Sequence, residues 1–385
     1  MQSKLRILIL GYIVRGPLGG MAWHHFQYVY GLKQMGHEVL FLEDSDNFAC
    51  CYNPETYELS ENPQYGLRFI QIFFSAFNMQ KHWAYHDAHT GKWFGQTQQN
   101  VFDFCEMADI VLNISGVNPL RDWWASIPYR ILIDTDPVFT QIKHLTDEKA
   151  NQFAKAHTHF ASFGENFGKP VCTIPDDQFQ WQPTRQPVCI ELWRISQRKM
   201  NANWTTVMQW DSYKTGEFNG SFYGMKSHSF KPFIALPGFL ETEKLELALG
   251  SSNAPRKDLE MKGWIISDPF VASKTPLVFQ EYIAGSKGEW TVSKHGYIET
   301  KSGWFSERTL NYMASGKPVV IQDTGFSNFI PVGSGILTFS TLEDGIEQIK
   351  NVNRSYEFHC AQARNIVEEY FRADKVLTKL LDIIV

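Results

Sequence analysis

The 385-residue chain has no apolar run of the roughly 18 to 20 residues that cross a bilayer. Its six cysteines (Cys50, Cys51, Cys105, Cys172, Cys189, Cys360) are scattered without a C-x-x-C pair. That pattern argues against a disulfide framework or a zinc site and for reduced thiols in a cytoplasmic protein. A basic surplus is also missing: 36 Lys and Arg stand against 41 Asp and Glu, a net charge of −5, which argues against a nucleic-acid partner. No low-complexity tract and no internal repeat is found. Residues 7–14, behind Lys4 and Arg6, imitate a short signal-peptide core, but Arg15 interrupts the run and no small-x-small cleavage site follows, so a buried strand is expected. Shallow attachment to the inner face of a membrane stays open. What the chain has in excess is aromatic rings, 15% of residues, which fill a large core or line a pocket for a flat or sugar-like ligand.

The length suits two or three domains, each able to bury a core. Residues 4–12 form an apolar run followed by Gly16, Pro17, Gly19 and Gly20, after which the spacing Ala22, Phe26, Val29, Tyr30 turns helical. Gly36 suits the helix end, and residues 37–43 read as a second strand. This βαβ unit implies a right-handed crossover and a parallel sheet. Further strands are expected at 109–115, 129–135, 159–163 and 171–175. Pro175, Pro183 and Pro187 bracket residues 176–186 as an interdomain linker, with a hinge at 176–188. A second set of strands is expected at 204–210, 245–250, 263–267, 290–294, 318–323 and 335–339. The expected fold is α/β, with two Rossmann-like doubly wound domains facing across a cleft. The expected division is 1–182, 183–365, and a closing segment 366–385 returning to the first domain.

In such folds ligands collect at the carboxyl ends of strands. The most informative stretch there is 301–327, KSGWFSERTLNYMASGKPVVIQDTGFS. Gly303 permits a close approach, Ser306 suits the cap of a helix starting near Glu307, and Gly316 suits its end. A helix start with free N–H groups beside Ser306 and Arg308 is a diphosphate site in waiting, or simply a capped surface helix. This loop, helix, Ala-Ser-Gly-Lys-Pro-Val-Val strand and Asp-Thr-Gly resemble the donor-binding segment of GT-B glycosyltransferases. Gly303-Trp304-Phe305-Ser306 is similar to their nucleotide-sugar loops, and the opening unit through Gly36-His37-Glu38-Val39 resembles their first βαβ.

The resemblance implies metal-independent transfer of a sugar from a nucleotide diphosphate sugar, UDP-, GDP- or dTDP-linked, to an acceptor in the cleft. No cofactor is needed beyond that co-substrate. It places Ser306 and Arg308 on the diphosphate with Lys226 or Lys294, Glu307 on the ribose, Asp323 and Thr324 on the sugar, and Asp268 by the base; Gly19 and Gly20 approach the donor from the first loop. Retaining relatives often carry two Glu eight positions apart; aligned on Gly316, those places are Gly303 and Asn311, which favours inversion. Inversion needs a general base. His24 and His25 near the first helix start are candidates, as is Asp136 in the I-D-T-D-P segment, with Asp134 beside it. His82 and His86, at helical i,i+4 spacing, suggest a lid or acceptor-side segment with Trp83, Tyr85 and Trp93; no metal is expected. The acceptor is open among small molecules, lipid carriers and polysaccharides, and the protein is expected as a monomer or homodimer. Two alternatives compete: a nucleotide-sugar-binding protein without transfer activity, and a nicotinamide-dependent oxidoreductase with Glu43 or Asp44 on the ribose. The latter lacks its G-x-G-x-x-G, since Gly11, Gly16, Gly19 and Gly20 do not supply it.

Overall fold

A computed structural model describes residues 4–213 and 216–384. The opening run becomes the strand Arg6–Leu10, whose alternate residues enter two cores: Ile7 and Ile9 pack on one face, Leu8 and Leu10 on the other. A strand buried on both sides reads as a continuous apolar run, which explains the sequence signal. It lies between Glu38–Asp44 and Ile110–Ile114 in an eight-stranded sheet. From one edge the sheet runs Trp181–Pro183, His159–Ser162, Tyr129–Asp134, Ile110–Ile114, Arg6–Leu10, Glu38–Asp44, Trp83–Asp87, Lys92–Phe94. Every pair is parallel except the last. The second half builds a six-stranded, all-parallel sheet in the order Ile265–Ser267, Leu245–Gly250, Trp204–Gln209, Gly288–Thr291, Val319–Gln322, Ile336–Phe339. The chain is thus α/β, two doubly wound sheets joined in series.

Two expectations are corrected. Residues 171–175 form no strand; the Thr173 amide bonds the Thr300 carbonyl of the other half at 3.0 Å. The edge strand comes instead from Trp181–Pro183, inside the expected linker. His82 and His86 do not share a helix. The strand Trp83–Asp87 pairs with Glu38–Asp44, and the two imidazoles bond the Val39 carbonyl and the Asp44 carboxylate, at 3.0 and 2.7 Å. Asp44 is held further by Arg121, at 2.8 and 3.1 Å, and these partners keep its carboxyl down at about 2 despite burial. Among the described residues, no cluster of three or more His, Cys, Asp or Glu could hold a metal, and no helix is long and apolar enough to cross a membrane.

The halves are tightly joined. The helix Gly19–Gln34 is cradled by both: Trp23 is fully buried and donates to the Pro276 carbonyl at 2.8 Å. The closing helix Ala373–Leu381 returns to its far side, where a Cβ on Gly31 would lie 2.8 Å from Leu377; Val385, the end of that expected segment, lies outside the described residues. Gly303 is required in the late loop, because φ is +80° and a Cβ would come within 2.9 Å of the Asn166 amide. Asn166 itself crosses to the Lys301 and Gly325 carbonyls, both at 3.0 Å.

Candidate functional site

The carboxyl ends of the two sheets face a cavity of about 580 Å³. The first half contributes Tyr12, Gly20, His24, Tyr52, Tyr57 and Asp136 to it; the second contributes Lys226, Lys294, Tyr297, Trp304 and the sequence Ser306, Glu307, Arg308. The helix behind that sequence is Glu307–Ala314. Ser306 occupies its cap position with extended backbone, but its side chain makes no capping bond and its buried hydroxyl has no partner among the described residues. The first-turn amides thus have no side-chain cap, and Ser306, Glu307 and Arg308 line the cavity at that helix start.

Two cations stand beside them. The Lys226 side chain makes no hydrogen bond or ion pair among the described residues. Burial first, and then repulsion from Arg308, push its ammonium well below the usual lysine range. Arg308 is anchored from behind: Nε donates to Glu289 at 2.5 Å, Nη1 to the Val207 carbonyl at 2.9 Å and Nη2 to Thr291 at 3.1 Å. Glu289 is fully buried. Those bonds use three of the five guanidinium N–H groups, leaving two for the cavity. Glu307 likewise makes no hydrogen bond or ion pair among the described residues. Two cations, a hydroxyl and a helix start line one cavity together with the Glu307 carboxylate, and the cations and helix start suit a dianionic or trianionic group.

The base candidates separate clearly. His24 faces the cavity; its Nδ1 lies 2.5 Å from Gln186 Oε1, and burial lowers its pKa, so the ring is neutral at physiological pH. His25 is wholly buried against Tyr12, His24 and Phe41, with neither ring nitrogen bonded, and does not line the cavity. Asp136 does line it, but both oxygens are taken across the cleft: Lys294 donates at 2.8 and 2.9 Å, and the Tyr213 and Tyr297 hydroxyls donate too. It acts as a strut between the halves. Lys294 is thereby committed to Asp136. Asp134 is buried and accepts from Thr140, Gln141, Ser162 and the Asp136 amide.

Four other expected donor contacts lie outside this cavity. Asp268 caps the helix Pro269–Ser273 by accepting from the Phe270 amide at 2.8 Å, and its other oxygen accepts from Tyr57 at 2.7 Å. Its neighbours Pro269 and Phe270 line the cavity instead. Asp323 closes its own turn with Gly325 and Ser327, and Thr324 is buried, donating to the Trp304 carbonyl at 2.6 Å. Gly19 is packed against Thr275, where a Cβ would sit 2.5 Å from a carbonyl oxygen, while Gly20 reaches the cavity. Each short polar side chain took the nearest backbone donor or acceptor.

The loop after the first strand has a different occupant. The amides of Ile13, Val14 and Arg15 all donate to Glu43, at 2.6, 2.7 and 2.7 Å, and the Arg15 guanidinium adds a fourth bond at 3.1 Å. Glu43 is completely buried. Those three amides are spent on Glu43, and a completely buried Glu43 cannot hold a ribose, which counts against the oxidoreductase alternative. A larger cavity, about 890 Å³, adjoins the first and shares Tyr12, Ser115, Thr135 and Asp136 with it. Sequence reading missed Tyr12, Gln186 and Glu289; no local signal marks them, since their partners lie far along the chain.

The sequence matches no protein-family model and no curated protein. Solved structures do match over the full length. An alpha-glucosyltransferase in complex with UDP aligns at TM-score 0.60 and 13% identity, over 99% of this chain and 100% of that one. An alpha-glucosyltransferase with UDP and a 13-mer DNA containing an HMU base gives 0.59 and 13%, with the same coverage. Anabaena HepE in complex with UDP and glucose gives 0.57 and 11%, over 99% of both chains. At such identities the likeness speaks for architecture, and the chain has the GT-B fold of these glycosyltransferases.

Proposed function

We propose that the protein is a glycosyltransferase that moves a sugar from a UDP-sugar to an acceptor hydroxyl in the cleft between its halves. The observation that carries this is the convergence of Lys226, Arg308 and the open start of Glu307–Ala314 on one interlobe cavity. UDP is the nucleotide of choice because it is bound in the solved neighbours. The second half holds the donor and the first half, residues 1–182, holds the acceptor.

In this reading, UDP leaves as a diphosphate whose growing charge is met by the ammonium, the guanidinium and the helix amides. No metal is invoked in that step. Neutral His24 takes the acceptor proton as the hydroxyl attacks the anomeric carbon, which inverts configuration. A retaining course is the second reading, favoured by the alpha-glucosyltransferase neighbours; the anomeric coupling in the product's proton NMR spectrum separates the two.

The adjoining cavity is the acceptor's place. Its lining includes five carboxylates (Asp46, Asp134, Asp136, Asp147, Glu217) against two lysines (Lys143, Lys149), with Phe139, Tyr213 and Phe218 as ring faces. That lining suits an uncharged, polyhydroxylated head group better than a polyanion. Net charge alone, however, no longer argues against nucleic acid, because several solved neighbours carry DNA. The deciding measurement is a thermal-shift and turnover panel of UDP-glucose, other UDP-sugars, GDP- and dTDP-sugars and NAD, each with oligosaccharide and duplex DNA acceptors. A UDP-sugar at 100 times its Kd is expected to stabilise the fold by about 2.7 kcal/mol. Protection by NAD alone would overturn the reading, and protection without turnover on any acceptor would leave the binding-protein alternative.

A further inference from the structure

We propose that Gln186, in the segment joining the halves, is a positioning residue that fixes His24 in the tautomer with its proton on Nδ1. The Nε2 lone pair is then presented to the donor cavity. The proposal rests on the reading of His24 as the base, and adds the element that makes it one.

The argument is a matter of donors and acceptors. Gln186 is buried, 1% exposed, so each of its polar atoms needs a partner. Its amide nitrogen lies 3.1 Å from the His24 carbonyl and 3.1 Å from the Pro187 carbonyl. Both are acceptors only, so the group facing them must be the NH2, and this settles which end of the amide is which. The oxygen is then the atom 2.5 Å from His24 Nδ1, and two acceptors cannot meet at that distance. Nδ1 therefore carries the proton. In a neutral ring the lone pair is left on Nε2, which has no hydrogen-bond partner among the described residues. His24 lines the cavity, and Nε2 is the ring nitrogen left able to accept a proton there.

The surroundings keep the ring neutral. Glu307 on the late helix faces it and raises its pKa; burial lowers it by more, and the Gln186 bond raises it. On its own helix, His25 and Tyr28 lie at ring-centroid distances of 4.6 and 6.1 Å, and Phe163 packs from the first sheet at 6.3 Å. Because Gln186 lies between Pro183 and Pro187 and also ties back to the helix through the His24 carbonyl, the connecting segment sets the ring's orientation.

Three measurements test this. Side-chain 15N NMR of histidine-labelled full-length protein, assigned with His24→Gln, is expected to show His24 protonated at Nδ1; a proton at Nε2 overturns the proposal without reference to any substrate. Gln186→Met is expected to lower kcat with the UDP-sugar by about 100-fold, the scale of a misplaced general base, with KM within about twofold. The acid limb of its kcat/KM profile is expected at lower pH, because a bond that favoured the charged ring is gone. In a His24→Gln background the same substitution is expected to have no further effect, whereas equal losses in both backgrounds would reduce Gln186 to a structural role and overturn the proposal. Absence of turnover with every donor would defeat the transfer reading, and the NMR result would still decide the tautomer.

Discussion

Two loops in this molecule start alike and end differently. Each contains Gly and leads into a helix, Gly19–Gln34 in the first half and Glu307–Ala314 in the second. In the first, three backbone amides and Arg15 converge on the buried carboxylate of Glu43. In the second, Lys226, Arg308 and the unpartnered Ser306 hydroxyl converge on a cavity. The same anion-seeking geometry is a structural brace where a carboxylate of the fold fills it, and a candidate ligand site where the cations are left lining a cavity. The Lys226 ammonium makes no ion pair among the described residues, and desolvation outweighs the attraction of Glu289 and Glu307, so its presence beside a guanidinium calls for a reason outside stability.

The largest test of this contrast is removal of the internal anion. Glu43→Ala leaves Arg15 and three amides without their partner, and is expected to cost about 3–5 kcal/mol in urea unfolding while donor binding by the remaining folded protein is unchanged. Lys226→Met is the opposite case. UDP affinity is expected to fall by about 10- to 100-fold, the worth of one charge-assisted contact, with stability equal to or above that of the parent; calorimetry and urea melts read the two effects separately. Arg308→Ala is a poorer probe, because it strands the buried Glu289 as well.

Protonation gives a sharper reading. The Lys226 pKa is depressed in the folded protein, so the unfolded chain binds more protons, and stability rises with pH up to the ordinary lysine value of about 10.4. Lys226→Met is expected to flatten that rise. A bound diphosphate pulls the pKa back up, so UDP binding above the depressed value takes up as much as about one proton, measured from calorimetric heats in buffers of different ionisation enthalpy. Proton release on binding would contradict the placement of the phosphates. The smallest effect compares two helix caps. Thr275→Ala removes a cap that accepts from the Val278 amide at 3.1 Å and is expected to cost about 1 kcal/mol. Ser306→Ala removes a hydroxyl that caps nothing, and is expected to leave stability nearly unchanged while weakening UDP binding.

Much of the fold was legible because its signals are local. The switch from apolar run to helical spacing between residues 4 and 35 required only neighbours, and the parallel pairing of Arg6–Leu10 with Glu38–Asp44 followed from it. The late helix start at Ser306 was equally visible. The errors came where local pattern and tertiary context disagree. The stretch around His82 read as helical by the spacing of two histidines, yet its backbone completes the edge of a sheet. Residues 171–175 look like a strand but spend a backbone donor on the other half. Of the residues that the resemblance or the first helix start singled out, Lys226, Arg308, Ser306 and His24 line the cavity, whereas Asp268, Asp323 and Thr324 bond within their own turn, cap or loop.

By itself the sequence determined the alternation of strand and helix, the two-sheet architecture and the positions where helices open, because hydrophobic period and glycine placement act within a few residues. Only the tertiary structure decided which polar groups are spent and which stay available. Glu43 fills one loop from 28 to 30 residues away, and Gln186 reaches His24 across 162. Asp136 is tied to Lys294 across 158. Whether a buried polar atom is a brace or a reagent depends on the partner that folding brings within hydrogen-bond distance, and no spacing along the chain records that distance.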